Sequence, residues 1–470
     1  MLKDLKMFPP FPTQEAYKLC IEIIQKIKNG TVLVKEISRQ SEERKNQGVM
    51  LGVLVCEDEE KNKINLAALS GLGKNLDYVP EISSDEKKIF FVQPIVSPQK
   101  IAETLNKNDE EIHLLTKKIN SLKEKQKNSS CNGEDSAELS NLKKTRSQLC
   151  NESLKKVYDL YNFHCADKKI RSLKEICKIQ NNGKLPPTGT GECCEAKLLD
   201  FAFSKNFVPL SMAQIFVEKK FLKSSVLEMP ELSNPCDERC GLILPEMLGL
   251  KILYRDEDII VVDKQSGLLS VPGRGPEKQD CVVNRVKRLF PNCIEQPSVH
   301  RLDMETSGLL VLAFTKDAHR NLCRQFEEGI VKKSYIALVD GILAKKGIPA
   351  EGKNELYFRL DINNRPHQIW DSVYGKKSIT EWKILDVENY TSPQKKIRPV
   401  TRVLFLPQTG RTHQLRLASS DPHGFNCPII GDTLYGHCDE GERLMLHAQS
   451  LSFIHPRTSE QMNFFCKAPF

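Results

Sequence analysis

The sequence predicts an α+β protein whose C-terminal half is built around a mixed or antiparallel central sheet. From about residue 249 to Phe470, strand-like segments outnumber helical ones, and Gly-containing turns separate them. The segments KKSYIALVDG, SITEWKILDVE and VTRVLFLPQTG are typical of strands, whereas TKDAHRNLCRQFEEG is typical of a helix. Short strands joined by hairpin-type turns, with few helices between them, indicate a sheet that is at least partly antiparallel.

The composition is that of a globular protein. A chain of 470 residues is long enough for two or three domains, and its 40% hydrophobic and 28% charged residues are ordinary values. There is no run of about 18 apolar residues, so no transmembrane helix is expected. The first residues contain no apolar core of a signal peptide, so we expect a cytoplasmic protein without a membrane partner. The formal charge of +8 permits a polyanionic partner.

The first 100 residues form a region that mixes helix and strand signals. QEAYKLCIEIIQKIKNG is predicted to be an amphipathic helix closed by Gly30. GVMLGVLVCEDE and KIFFVQPIV are predicted to be strands. We therefore expect an α/β-mixed N-terminal region at 1–100.

Residues 101–160 have a different pattern. Apolar residues recur at helical spacing among Lys and Glu, a polar turn KNSSCNGEDS follows, and a second stripe begins at Leu139. Two such helices joined by a turn predict an antiparallel coiled-coil hairpin inserted into the N-terminal region. An irregular pair of surface helices that serves only as a spacer explains the pattern equally well.

Residues 161–248, the remainder of the N-terminal region and the linker, carry clustered thiols. Cys193, Cys194, Cys236 and Cys240 are candidate zinc ligands, because CC and CDERC each supply closely spaced sulfur atoms. The spacing is not that of two C-x₂-C pairs, so we favour buried structural thiols. With 16 Cys and no secretory signal, we expect thiols or metal ligands and not a disulfide framework.

The stretch SVHRLDMETSGLLVLA is the strongest candidate for a functional site. Its apolar end, Leu309 to Ala313, is typical of a buried strand, yet charged residues precede it directly. Asp303 beside Arg301 would stay ionised, and an ionised carboxylate can act as a nucleophile or a general base. Tyr335 lies in a predicted strand, and TGRTHQLRL places Arg411, His413 and Arg416 after a Gly turn. Each motif alone is equally compatible with a surface ion pair or a core residue.

Together, and in this order, the motifs resemble those of the RluA family of pseudouridine synthases. The resemblance covers about residues 249–470 and rests on HRLDMETSGLLVLA, KKSYIALVDG, LPQTGRTHQLRL, CPIIGDTLYG, LMLHAQSLSFIHP, NNRPHQ and ILYRDEDIIVVDKQSGLLSVPGR. The segment PPTGTGECCEAKLL is similar to that of long family members with an N-terminal extension. One looser match is RLASSDPHGFNCPIIGD, where the family usually has a His soon after the arginine and a shorter connection.

The resemblance implies roles for individual residues. Asp303 would be the catalytic carboxylate, Tyr335 would stack on the target uracil, and Arg416 would pair with the aspartate. Arg301 would fill the gap left in the RNA stack, and Leu415 would form the pocket floor. The remaining positions implied to bind substrate are His300, Arg411 and His413.

The implied activity is that of an isomerase, an RNA pseudouridine synthase with a pseudouridine synthase catalytic domain at 249–470. It would convert specific uridines of rRNA and/or tRNA, act as a monomer and need no cofactor, since the reaction involves no redox change. A non-catalytic RNA-binding protein on the same fold is the alternative. Intact Asp303, Tyr335 and Arg416 argue against it, because a binding module has no need of all three.

Overall fold

The computed structural model describes residues 11–28, 49–71, 81–84, 87–128, 133–181, 183–217, 230–236 and 238–470. The chain divides into two compact units, with the boundary between Gly249 and Leu250. The N-terminal unit contains a five-stranded sheet and most of the long helices. The C-terminal unit contains a ten-stranded sheet and the candidate active site.

In the N-terminal unit the described helices are α1 (Gln14–Lys28), α2 (Pro98–Asn128), α3 (Gly133–Tyr158), α4 (Leu173–Gln180), α5 (Cys194–Ser204) and α6 (Cys240–Leu248). The strands are β1 (Val49–Glu57), β2 (Lys63–Leu69), β3 (Glu81–Ser84), β4 (Lys87–Phe91), β5 (Asn162–His164), β6 (Ile170–Ser172) and β7 (Val208–Val217). The larger sheet has the order β3-β4-β2-β1-β7, and β5 pairs with β6.

Helix α1 covers one face of this sheet with an apolar stripe. Ala16, Leu19, Cys20, Ile23 and Ile24 recur at helical spacing and are buried against β1, β2 and β7. The predicted helix and the predicted strand in GVMLGVLVCEDE are therefore confirmed. The predicted closure at Gly30 lies outside the described residues.

Helices α2 and α3 follow one another in the region where the hairpin was predicted. The Asn108 Nδ2 atom donates to Ser153 Oγ at 3.1 Å, so the beginning of α2 lies beside the end of α3. Ile119 and Leu139, both members of the predicted stripes, are buried. A true coiled coil stays a prediction.

In the C-terminal unit the helices are α7 (Val282–Leu289), α8 (Lys316–Glu327) and α9 (Gln414–Ser420), with 3₁₀ turns at Pro276–Lys278 and Leu343–Lys346. The strands are β8 (Lys251–Arg255), β9 (Ile259–Lys264), β10 (Ser307–Ala313), β11 (Lys332–Asp340), β12 (Glu351–Leu360), β13 (Gln368–Trp370), β14 (Lys376–Thr391), β15 (Ile397–Pro407), β16 (Leu446–Ile454) and β17 (Gln461–Phe465).

The order of the ten-stranded sheet is β13-β12-β14-β15-β11-β16-β10-β9-β8, with β17 on β16. Within residues 250–470, all of them described, β10 and β16 form the one parallel pair. The prediction of an α+β domain with a mixed sheet is thus confirmed. Among the described residues, no helix combines the length and the apolar character needed to cross a bilayer.

Candidate active site

The loop that carries Asp303 runs directly into β10, and Gly308 explains how. All seven residues of β10 are buried. Gly308 has φ +113° and is paired with Ala448 in the parallel register, where an added Cβ would lie 2.3 Å from the Ala448 carbonyl oxygen. Only glycine tolerates both the backbone angle and this close approach. The Thr-Ser-Gly sequence therefore lets β10 enter the sheet immediately after the charged loop.

A buried lysine ties the Asp303 loop to the loop that follows β9. Lys264 is fully buried, and its Nζ atom donates to the carbonyl oxygens of Leu268 at 2.7 Å, Met304 at 2.9 Å and Gln265 at 3.0 Å. Burial lowers the Lys264 pKa to about 7, although nearby Asp303 opposes the shift. Two backbone segments are thus held by one side chain.

Two serines add to this connection. Ser270 Oγ donates to the Leu302 carbonyl at 2.7 Å and accepts from the Leu302 amide at 3.0 Å. Ser266 Oγ donates to the Glu305 carbonyl at 2.6 Å. Hydrogen bonds therefore fix the residues on either side of Asp303, whereas the Asp303 carboxylate remains available to a ligand.

The Asp303 carboxylate faces two nitrogen donors. Its Oδ2 atom lies 3.8 Å from Arg416 Nη1, and its Oδ1 atom lies 3.9 Å from His413 Nε2. The Asp303 side chain is 27% exposed, whereas that of Arg416 is 3% exposed. Both distances exceed that of a direct hydrogen bond, so the carboxylate oxygens remain available to a ligand.

Arg416 is held in place by a second carboxylate, Asp432, which is fully buried. Arg416 Nε lies 2.8 Å from Asp432 Oδ2, and Arg416 Nη2 lies 2.5 Å from Oδ1. The same Nη2 lies 3.2 Å from Glu305 Oε2. Asp432 Oδ1 also accepts from the amides of Leu434 and Tyr435. The bidentate pair fixes the guanidinium so that Nη1 points toward Asp303.

His413 is oriented by Tyr435. His413 Nδ1 lies 2.6 Å from the Tyr435 hydroxyl, which also accepts from the Gln368 amide at 2.8 Å. Because the hydroxyl accepts from Gln368, its proton is free to go to Nδ1, which leaves the hydrogen of neutral His413 on Nε2, toward Asp303. Burial lowers the His413 pKa, despite the opposing effect of Asp303, and keeps the ring neutral.

Tyr335 presents its ring from the middle of the sheet. On β11 it pairs with Phe405 of β15 and Ala448 of β16. Burial, followed by the nearby Asp303 charge, raises the Tyr335 pKa well above its ordinary value, so the side chain stays a neutral phenol. A half-buried aromatic ring in this position offers a stacking surface to a planar base.

These groups surround one cleft of about 610 Å³. All eight residues that the sequence predicted for catalysis or substrate binding line it: Asp303, Tyr335, Arg416, Arg301, His300, Leu415, Arg411 and His413. The lining has four basic side chains, Arg301, Lys333, Arg411 and Arg416, against the two carboxylates of Asp303 and Glu327. The cleft is therefore suited to an anionic ligand with a planar ring.

Some of the eight side chains are exposed, whereas others are hydrogen-bonded or packed within the protein. Arg301 is exposed, and the Arg411 Nε atom donates to the Lys377 carbonyl at 3.0 Å. Leu415 is buried in the core beside the cleft. His300 stacks on Phe326 with ring centroids 4.6 Å apart, and its Nε2 accepts from the Val311 amide at 3.1 Å.

Burial, with a smaller effect of Lys333, lowers the His300 pKa to about 3. The ring is therefore neutral, and both its face and its Nε2 atom have partners within the protein. His300 connects the Asp303 loop to β10 and α8 as well as lining the cleft.

Sequence reasoning missed the residues that hold the site together. Asp432 and Tyr435 belong to CPIIGDTLYG, a motif of the resemblance whose polar residues carry no predicted role. The same holds for Lys264 in DKQSG. A Lys at the end of a strand that begins with four apolar residues, Ile259–Val262, was the signal that could have been used.

The four predicted zinc candidates do not all meet. The sulfur atoms of Cys193, Cys236 and Cys240 lie within 4.8 Å of one another. Cys194 turns away, because its Sγ lies 3.3 Å from the Met50 carbonyl and its Cβ packs against Gly52 of β1. Three of the four thiols therefore form one cluster in the N-terminal unit.

Comparison with known proteins shows which family shares the part of the chain that contains this site. Residues 258–421 match the family model described as RNA pseudouridylate synthase. The dual-specificity RNA pseudouridine synthase RluA of Yersinia pestis is 44% identical over 47% of this chain and 99% of its own length. RluA of Haemophilus influenzae is 42% identical over 47% of this chain and 94% of its own. The solved structure of human RNA pseudouridylate synthase domain containing 1 covers 47% of this chain and 84% of its own, with 29% identity and a TM-score of 0.38.

The curated relatives are matched over nearly their whole lengths, and the matched family segment contains Asp303, Tyr335 and Arg416. The cleft that these residues line thus lies in the part of the chain that the relatives share. The chain belongs to the RluA family of RNA pseudouridine synthases, a family of isomerases.

Proposed function

We propose that this enzyme isomerises specific uridines of rRNA and/or tRNA to pseudouridine, with Asp303 as the catalytic carboxylate. The relatives from Yersinia pestis and Escherichia coli are named dual-specificity RNA pseudouridine synthases, which supports more than one class of RNA substrate. The observation that carries the proposal is the position of Asp303. Its carboxylate lies in a cationic cleft, 3.8 Å from a fixed arginine, with Tyr335 in the same lining.

The chemistry fits a single carboxylate. The N1–C1′ bond of uridine breaks, the base turns, and C5 joins C1′; C5 then loses its proton and N1 takes one up, so the net reaction is an isomerisation without redox change. Asp303 either attacks the substrate as a nucleophile or removes a ribose proton as a general base. Arg416 Nη1, 3.8 Å away, places a positive charge beside the carboxylate in either role.

The target base must leave the RNA stack to reach Asp303. Flipping costs a few kcal/mol. Stacking on an aromatic ring returns roughly 1–3 kcal/mol for each base. We assign this stacking to Tyr335, and we assign to exposed Arg301 the role of filling the gap in the RNA stack. Arg411 and Lys333 line the same cleft and supply charge for phosphates.

His413, His300 and Leu415 complete the proposed substrate pocket. His413 directs Nε2 toward Asp303, His300 supports the wall beside Phe326, and Leu415 forms the floor. We further propose that the enzyme is a cytoplasmic monomer. In support of that compartment, the fifteen cysteines in the described part of the chain are all free thiols, as in reducing surroundings.

For the domains we propose a mixed region at 1–100, a coiled-coil hairpin at 101–160, a cysteine-bearing remainder at 161–248 and the catalytic domain at 249–470. The hairpin would contact RNA or a protein partner. This division assigns every group of the proposed reaction to the last of the four segments.

The test is Asp303→Asn, which keeps the shape of the side chain and removes its charge. Purified protein would be incubated with total RNA from cells that lack the gene, and pseudouridines would be mapped by chemical labelling and primer extension. We expect turnover to fall by about 10²-fold to 10⁴-fold or more. RNA affinity should change little, since phosphate contacts supply most of it.

Asp317→Asn is the matched control, because Asp317 is an exposed carboxylate on α8 that pairs only with exposed Arg320. It should retain full activity. Wild-type turnover in Asp303→Asn would contradict the assignment of Asp303. A wild-type protein that binds these RNAs but forms no pseudouridine would favour the non-catalytic alternative.

A further inference from the structure

The thiols of Cys193, Cys236 and Cys240 form a cluster in the N-terminal unit that the uridine reaction does not use. Their three sulfur atoms lie within 4.8 Å of one another. Tetrahedral zinc with Zn–S bonds of about 2.3 Å sets its sulfur ligands roughly 3.8 Å apart. The thiols therefore need to approach by no more than about 1 Å to bind one ion.

The three thiols come from the starts of two helices. Cys193 is the residue that precedes α5, yet its side chain makes no capping hydrogen bond to that helix. Cys240 opens α6, and Cys236 precedes α6 by a short turn in which the Gly241 amide bonds to the Cys236 carbonyl at 3.0 Å.

One oxygen of a buried carboxylate beside the cluster lacks a hydrogen-bond partner. Glu195 is 2% exposed, and its Oε2 atom lies 3.6 Å from Cys240 Sγ. The other oxygen, Oε1, is buried and has no hydrogen-bond partner. Buried carboxylates are otherwise paired or bound to metals, so this oxygen calls for a cation in the vicinity of Cys240.

The other two groups of potential donors in the described residues are satisfied by the protein. His455 Nε2 lies 2.7 Å from Asp256 Oδ2, and Arg457 pairs with Asp258. In the remaining group, Lys251 pairs with Asp263 at 2.9 Å. Among the residues that the structure describes, only the cysteine cluster combines adjacent thiols with a carboxylate oxygen that lacks a partner.

We propose that Cys193, Cys236 and Cys240 bind one zinc ion, with Glu195 as the fourth donor. Zinc takes four ligands of this type in structural sites, and a rotation of the Glu195 side chain beside Cys240 would complete the tetrahedron. The exposure of the thiols decreases from exposed Cys236 through half-buried Cys193 to buried Cys240, which gives the ion a path from solvent. The bound ion connects the start of α5 to the start of α6.

The experiment measures metal content and cobalt spectra of the full-length protein, purified in reductant after expression with added zinc. We expect one zinc per chain by mass spectrometry, and near-ultraviolet thiolate-to-cobalt charge-transfer bands after replacement of zinc by Co²⁺. Cys236→Ser should lose the zinc. Because Cys236 is exposed, this variant is expected to fold.

Cys194→Ser is the matched control, since its side chain adjoins the cluster in sequence but faces β1. It should keep one zinc. Glu195→Gln should weaken zinc binding by about 10-fold to 100-fold. A zinc-free wild type, or a Cys236→Ser protein that retains a full equivalent, would overturn the site, and unchanged affinity in Glu195→Gln would remove Glu195 from it.

Discussion

Asp432→Asn is the most direct test of how Arg416 is held. Asp432 is fully buried and accepts two hydrogen bonds from the Arg416 guanidinium, at 2.8 and 2.5 Å. Asparagine keeps one oxygen for the amides of Leu434 and Tyr435, but its NH₂ group would face the Arg416 donors. The substitution therefore removes at least one charge-assisted bond and leaves a buried guanidinium without its main counter-charge.

The expected cost follows from these contacts. A hydrogen bond to a charged group is worth about 1.5–3 kcal/mol. Removing one partner of a buried ion pair costs roughly 3–5 kcal/mol in total. Glu305, 3.2 Å from Arg416 Nη2, compensates only in part because it is nearer to solvent. We expect the free energy of unfolding of the catalytic unit to fall by about 3–5 kcal/mol.

The assay is urea unfolding followed by tryptophan fluorescence. The chain has two Trp residues, Trp370 and Trp382, and both lie in the C-terminal unit, so the signal reports that unit alone. With a urea dependence of about 2 kcal/mol per molar, the midpoint should fall by about 1.5–2.5 M. Asp317→Asn, an exposed pair, should shift the free energy by less than about 0.5 kcal/mol.

Activity provides a second measurement on the same variant. Without Asp432, Arg416 is expected to close its 3.8 Å gap to Asp303 and bind the carboxylate directly. Turnover should then fall while RNA affinity changes little. If Asp432→Asn unfolds within 1 kcal/mol of the wild type and turns over normally, Asp432 does not position Arg416.

Two further predictions concern a histidine and the helical hairpin. Burial lowers the His300 pKa to about 3, whereas the pKa of an unperturbed His is about 6.5. Below pH 6.5, His300 therefore takes up a proton in the unfolded chain but not in the folded one. This difference should lower the free energy of unfolding by about 1.4 kcal/mol for each pH unit. In urea titrations at pH 6 and pH 5, His300→Gln should lose this part of the slope, whereas exposed His437→Gln should keep it; equal slopes in all three proteins would contradict a neutral His300 ring in the folded chain. Replacing 107–155 by a short Gly/Ser loop should leave melting and activity on a minimal stem-loop unchanged but weaken binding of full-length RNA, with a shallower salt dependence. Unfolding of that deletion would make the hairpin part of the core, and unchanged binding would show that it does not contact RNA.

The residues that line the cleft were easier to predict from the sequence than the residues that hold them in place. Asp303, Tyr335 and Arg416 belong to motifs with a fixed order, so each could be named before any contact was known. Asp432 reaches Arg416 only because the chain after α9 folds back over it. Lys264 would be placed on the surface by its residue type, and its three carbonyl partners come from two separate loops.

Strand pairing and side-chain direction could not be predicted from the sequence, because they too depend on contacts between residues far apart in the chain. The parallel contact of β10 with β16 joins residues about 140 positions apart, which no local pattern encodes. At the thiol cluster, Cys193 and Cys194 are neighbours, and residue type does not say which one faces the other thiols. Successive residues at the start of a helix point about 100° apart, so only the packing of α5 on β1 decides.

Gly308 and Asp303 belong to the same motif but serve different purposes. The close approach of Gly308 to the Ala448 carbonyl oxygen belongs to the architecture of the sheet, whereas Asp303, five positions earlier, belongs to the proposed reaction. A descendant that exchanged Asp303 but kept Gly308 would still match the motif at most positions and would still fold. When genomes are surveyed for active members of this family, the aspartate should therefore be scored on its own, because the glycine reports only that the strand can enter the sheet.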